Sequence, residues 1–136
     1  MHRFGLHDAI LVKDNHVGSL SPHELAERIK RDIPEARRRF GPRFVQVEVD
    51  DFEQLEAVLA IASGLVDMIL LDNMSPDLMR KAVKLRDERA PMVLLEASGG
   101  IVLDTLRAVA ESGIDRISVG ALTHSSVQLD FGLDLR

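Results

Sequence analysis

Along this chain, five short apolar runs each give way to a polar cluster. Ala9-Ile10-Leu11-Val12 leads into Lys13-Asp14-Asn15-His16, and Phe44-Val45-Gln46-Val47 into Glu48-Val49-Asp50-Asp51. Met68-Ile69-Leu70-Leu71 leads into Asp72-Asn73, and Met92-Val93-Leu94-Leu95 into Glu96-Ala97-Ser98-Gly99-Gly100. The fifth run, Arg116-Ile117-Ser118-Val119, leads into Gly120-Ala121-Leu122-Thr123-His124. The ends at Glu48, Asp72, Glu96 and Gly120 follow one another at equal steps of 24 residues. One strand plus one helix per step is the signature of repeated βα units. A parallel strand buried on both faces leaves a charged side chain only its end. Parallel strands also bring their C-terminal tips to one face, where the chemistry of a βα barrel sits.

Between the strands the pattern changes to a helical period. Ser21-Pro22-His23-Glu24 combines a capping serine, a proline at the first helical position and a glutamate three residues after the cap. Leu25, Ile29 and Ile33 then recur at four-residue steps, and Pro34 is expected to kink or end that helix. Asp51 caps a second helix carrying Leu55, Val58, Leu59 and Ala62, with Gly64 as its stop. Ser75-Pro76-Asp77 starts a third, with Leu78, Met79, Ala82, Val83 and Leu85 on its inner face, and a fourth runs over about Val102–Glu111. Arg37-Arg38-Arg39 reads as a solvated helix face rather than a site. The tail Val127–Leu135 alternates as a half-exposed strand. The expected architecture is α/β: a partial (βα) barrel of parallel strands over residues 1–125, with an extra C-terminal strand over 126–136. A closed eight-stranded barrel takes about 250 residues, so 136 residues hold about half to two-thirds of one. The chain is therefore expected to be the C-terminal part of a larger design, either a fragment or a half that must associate.

Composition narrows the function. A net charge of -5 argues against non-specific nucleic-acid binding, which needs a basic surface. No cysteine is present, so there is neither a disulfide framework nor a thiolate ligand. No run of about eighteen apolar residues could span a membrane, and Met1-His2-Arg3-Phe4 does not read as a signal peptide, so the cytoplasm is the expected compartment.

The strand tips carry the candidate chemistry. Lys13 closes an apolar run, where an ammonium group is costly unless it meets an anion or a carboxylate. It reads as a solvated strand-end lysine, as a substrate-anion ligand or, less readily, as a Schiff-base nucleophile. Glu48 and Asp72 end successive strands, so their carboxylates fall on one face. Such a pair can hold Mg²⁺ beside a phosphorylated substrate, or simply form salt bridges with Lys13 or Arg3. Ser98-Gly99-Gly100 between a strand and a helix can offer bare backbone N–H groups to a phosphate. Gly120, at the next strand end, belongs with it, because the last strand loops of βα barrels often share one phosphate.

These residues carry a resemblance. His2-Arg3-Phe4-Gly5-Leu6-His7-Asp8, Leu11-Val12-Lys13-Asp14-Asn15-His16, Val47-Glu48-Val49-Asp50, Leu70-Leu71-Asp72-Asn73-Met74, Leu95-Glu96-Ala97-Ser98-Gly99-Gly100-Ile101 and Ile117-Ser118-Val119-Gly120-Ala121-Leu122-Thr123-His124-Ser125 occur in order. Leu129-Asp130-Phe131-Gly132-Leu133-Asp134 follows. Together they resemble the C-terminal part of the quinolinate phosphoribosyltransferases. The resemblance implies transfer of a phosphoribosyl group from 5-phosphoribosyl-1-pyrophosphate to quinolinate with decarboxylation, giving nicotinate mononucleotide for NAD biosynthesis. It implies Mg²⁺ at Glu48 and Asp72, catalytic roles for Lys13, Glu48 and Asp72, and quinolinate contacts from His2, Arg3 and Lys13. It further implies phosphate contacts from Ser98, Gly99, Gly100 and Gly120. The family's N-terminal domain and first barrel strand have no counterpart here. The chain alone is accordingly expected to be inactive or weakly active, and to associate with itself or with a complementary N-terminal fragment. The competing reading is a non-catalytic phosphate-binding or structural half-barrel that self-associates.

Overall fold

A computed structural model describes residues 8–13 and 20–124. His2, Arg3, Asp14-Asn15-His16 and the strand expected in 126–136 lie outside the described residues. The described elements run β1 (Ala9–Val12), α1 (Pro22–Phe40), β2 (Phe44–Val49), α2 (Phe52–Ile61), β3 (Met68–Asp72), α3 (Pro76–Arg89), β4 (Leu94–Ser98), α4 (Leu103–Ala110), β5 (Arg116–Ile117) and α5 (Ala121–His124). The strands form one parallel sheet in the order β1-β2-β3-β4-β5. Each strand thus lies beside the next in sequence, as in a (βα) barrel, and the described residues supply five of the usual eight strands.

Register sorts the side chains onto two faces. Val45, Val47 and Val49 share one face with Ile69, Leu71, Leu95 and Ala97, and all are fully buried. Leu25, Ile29 and Ile33 of α1, Leu55, Val58 and Leu59 of α2, Met79 and Ala82 of α3 and Val109 of α4 complete that core. Burying one such Leu or Val contributes about 1.5–3 kcal/mol. On the other face, Gln46 is in register with Met68 and Met68 with Leu94; Glu48 with Leu70, Leu70 with Glu96, and Glu96 with Arg116. In a closed barrel that face points inward, and here it carries amide, carboxylate and guanidinium groups.

The local signals that start the helices act as expected. The Ser21 hydroxyl accepts the Glu24 N–H while a Glu24 carboxylate oxygen accepts the Ser21 N–H at 2.8 Å. Asp51 accepts from the Gln54 N–H at 2.8 Å, and Ser75 from the Leu78 N–H at 3.3 Å. Pro34 departs from expectation: α1 runs through it to Phe40 and ends at Gly41, which adopts a left-handed conformation. Pro34 is exposed, so the carbonyl it leaves unpaired can turn toward water, while Ile29 and Ile33 hold the opposite side in the core.

Two other expectations shift. β4 begins at Leu94 rather than Met92, because Ala90–Val93 form a turn closed by Val93 N–H to Ala90 C=O, with Met92 89% exposed. Glu96 therefore sits inside the strand and Ser98 at its end. β5 is shorter than expected, pairing only at Arg116 and Ile117, although the Ser118 N–H still donates to the Ala97 carbonyl at 2.9 Å.

The arginine run is only partly the solvated face that its sequence suggests: Arg38 and Arg39 are exposed, and Arg37 is not. Arg37 donates to Asp67 at 2.5 Å and to the Leu65 carbonyl at 3.2 Å, while the same Asp67 oxygen accepts the Val45 N–H at 2.7 Å. Two βα units later the device recurs. Arg86 donates to Asp115 at 2.6 Å and to the Val93 carbonyl at 2.7 Å, and Asp115 accepts the Leu95 N–H at 2.8 Å. Burial works against the Arg86 charge, but its hydrogen bonds to Asp115 and Asp87 outweigh that and raise its pKa.

Candidate functional site

The C-terminal ends of the strands share one rim, and the expected residues among those described lie along it. Lys13 follows β1 directly and places its Nζ 3.6 Å from Glu48 Oε2 on β2. Glu48 is 7% exposed, so its charge is held close to that ammonium group. Asp72 ends β3 in register with Ser98 at the end of β4. Lys13 and Glu48 thus form a cation–carboxylate pair at the register level of Leu70 and Glu96, and Asp72 and Ser98 stand two residues further along, at the rim itself.

The glycine-rich segment occupies the β4–β5 side. Ser98, Gly99, Gly100, Ile101, Val102, Ser118, Gly120 and Ala121 line one pocket of about 520 Å³. Gly99 has φ +84°, and a Cβ there would collide with the Asn73 Oδ1, so both backbone and space require glycine. The pocket includes the start of α4, whose capping position is Val102. A valine side chain can accept no hydrogen bond, in contrast to Ser21, Asp51 and Ser75 on the preceding helices. The Thr105 hydroxyl accepts the Val102 N–H at 3.1 Å and the Val102 carbonyl accepts the Thr105 N–H at 3.0 Å, but no side chain at the capping position answers the helix start, whose dipole suits an anion.

Sequence reasoning passed over a second layer on the inner face. Glu96 accepts Gln46 Nε2 at 3.1 Å and Ser118 Oγ at 2.5 Å, joining β2, β4 and the pocket wall. Period two from Ser98 would have found it, since residues 96 and 98 share a face. Asn73, the next residue after Asp72, donates to the Asp72 carboxylate at 2.7 Å and was also passed over.

Among the described residues no group of three or more His, Cys, Asp or Glu side chains converges as a metal cage. Carboxylates on this side of the sheet include Glu48, paired with Lys13, Glu96, bonded to Gln46 and Ser118, and Asp72, bonded to the Asn73 amide. No helix among the described residues is long and apolar enough to cross a membrane.

The sequence and fold both have counterparts. Residues 1–134 match the family model for the quinolinate phosphoribosyl transferase C-terminal domain. The chain belongs to that family. It is 44% identical over 135 residues to the nicotinate-nucleotide pyrophosphorylase (carboxylating) of Mycobacterium leprae, covering 98% of this chain and 44% of that protein. It is 38% identical over 134 residues to the human protein of the same name, covering 98% and 42%. The crystal structure of NadC from Streptococcus pyogenes superposes with a TM-score of 0.71 at 36% identity, over 96% of this chain and 42% of that one. This quinolinate phosphoribosyl transferase domain thus spans less than half the length of the curated relatives it matches.

Proposed function

We propose that this domain contributes the phosphate and metal side of a quinolinate phosphoribosyltransferase site, acting on 5-phosphoribosyl-1-pyrophosphate and quinolinate in NAD biosynthesis. The carrying observation is the β4–β5 pocket, where Gly99 tolerates no Cβ and the capping residue of α4, Val102, has no side-chain acceptor. In this reading the backbone N–H groups around Ser98, Gly99, Gly100 and Gly120 receive a phosphate of the donor. Glu48 and Asp72 face the ribose, where positive charge develops as pyrophosphate departs from the anomeric carbon, and carboxylates stabilise such charge. They are also the residues that would hold Mg²⁺, which supplies charge neutralisation for the pyrophosphate when bound. Lys13, fixed beside Glu48, supplies a cation for a quinolinate carboxylate. His2 and Arg3 are assigned by family resemblance to the remaining acceptor contacts.

The relatives are more than twice this length. Turnover by these residues alone is therefore expected to be absent or slow. Among the described residues β1 and β5 are the edge strands of the sheet, and such edges favour self-association or pairing with a complementary N-terminal segment. Calorimetric titration with 5-phosphoribosyl-1-pyrophosphate and Mg²⁺ tests the reading. Saturable binding, lost in Gly99→Val with the circular dichroism of the fold retained, supports it. No binding by the wild-type chain overturns it.

A further inference from the structure

We infer that Asn73 is a positioning residue that locks the Asp72 carboxylate and the Gly99 loop into one unit. This deepens the proposed function and rests on that reading of Asp72 and of the pocket. Asn73 is the one non-glycine residue among those described with a left-handed backbone, at φ 51°. Asn enters that region more readily than other side-chain-bearing residues, and at this position its side chain is also put to use.

Three contacts show the use. The Asn73 Nδ2 donates to Asp72 Oδ2 at 2.7 Å, which fixes one carboxylate oxygen and leaves the other to meet a ligand. The Asn73 N–H donates to the Ser98 carbonyl at 2.9 Å, tying the end of β3 to the end of β4 one residue beyond the ladder. The Asn73 Oδ1 lies where a Cβ on Gly99 would collide with it, and the Cγ only 2.6 Å from that position, so the amide fills the space that glycine leaves. A single side chain therefore reaches both the carboxylate proposed for the ribose and metal and the loop proposed for phosphate. Their separation is set by a wedge rather than by the strand ladder alone. Asp72 and the loop belong to different strands, and a donor molecule that bridges them needs that separation constant.

The test separates positioning from mere structure. Glycine accepts the left-handed backbone without strain, so Asn73→Gly is expected to keep or raise the urea midpoint of the full chain. Its affinity for 5-phosphoribosyl-1-pyrophosphate with Mg²⁺ is expected to fall by about tenfold, the scale of losing an outer partner of a ligating carboxylate. Asn73→Asp keeps the shape but replaces the amide donor by a carboxylate facing Asp72, and it should bind no better than Asn73→Gly. Wild-type affinity in either variant overturns the inference. A ligand-free arm measures Gly99→Ala both alone and combined with Asn73→Gly. The loss of urea midpoint caused by Gly99→Ala should be smaller in the combined variant than beside the native Asn73, because the side-chain part of the clash is gone. An equal loss in both backgrounds overturns the wedge. If the wild-type chain binds no donor, the proposed function fails and the positioning role falls with it, while the wedge is still decided by the midpoints.

Discussion

The two rims of the sheet use charge in opposite ways. At the N-terminal rim, Arg37–Asp67 and Arg86–Asp115 each close a compact set in which the aspartate also accepts a strand N–H and the arginine also donates to a carbonyl. Among the described residues, the one buried side-chain nitrogen or oxygen without a partner, Arg37 Nε, also lies there. At the C-terminal rim, the glycine loop and the Val102 start of α4 line a pocket, and Asp72 at the end of β3 is held by the Asn73 amide. The first arrangement ties neighbouring βα units together, while the second keeps geometry ready for something outside the chain. Charge at a strand end therefore tells structure from function only when its partners are known.

The largest expected effect comes from breaking the N-terminal rim. Arg86→Ala leaves Asp115 without its cation, and the Arg86 side chain is only 8% exposed. A loss of about 3 kcal/mol is expected, the low end for removing one partner of a buried pair, because Asp115 keeps some contact with water. Urea unfolding measures it; a loss below about 1 kcal/mol would place this pair with ordinary surface bridges.

At the opposite rim, caps should matter less. Ser75→Ala removes the hydroxyl that accepts the Leu78 N–H and is expected to cost about 1 kcal/mol. The converse substitution sharpens the contrast. Val102 is 49% exposed at the uncapped start of α4, so Val102→Ser can supply the missing cap. It is expected to stabilise the chain by about 0.5 kcal/mol and to weaken binding of inorganic pyrophosphate, because the hydroxyl competes for the same N–H groups. Tighter pyrophosphate binding in that variant would remove the helix start from the anion site.

The smallest effect is one of pH. The Ser21 hydroxyl and N–H hold the Glu24 carboxylate below its ordinary value of 4.5. A lowered folded-state pKa means that the contribution is present above the unfolded value and disappears as pH falls through the folded one. Glu24 is fully exposed, so a shallow slope in the unfolding midpoint below about pH 4.5 is expected. Glu24→Gln should flatten that slope, and an unchanged slope would assign it to other carboxylates.

Much of this was legible without coordinates. The equal spacing of Glu48, Asp72, Glu96 and Gly120, together with Ser21-Pro22 and Ser75-Pro76, determined parallel βα units and the rim on which Lys13, Glu48, Asp72 and the glycines stand. Those signals are local, and the strand period and the caps act within a few residues. The continuation of α1 through Pro34, the clamps of Arg37 and Arg86, the Glu96 bridge and the wedge of Asn73 were decided by tertiary structure. Each clamp, bridge or wedge depends on which residue from another element arrives beside it: Asp67 beside Arg37, Asp115 beside Arg86, Gln46 and Ser118 beside Glu96, Gly99 beside Asn73. A local pattern shows that a charge or a turn is present, but its use depends on a partner distant in sequence that packing brings within hydrogen-bond reach.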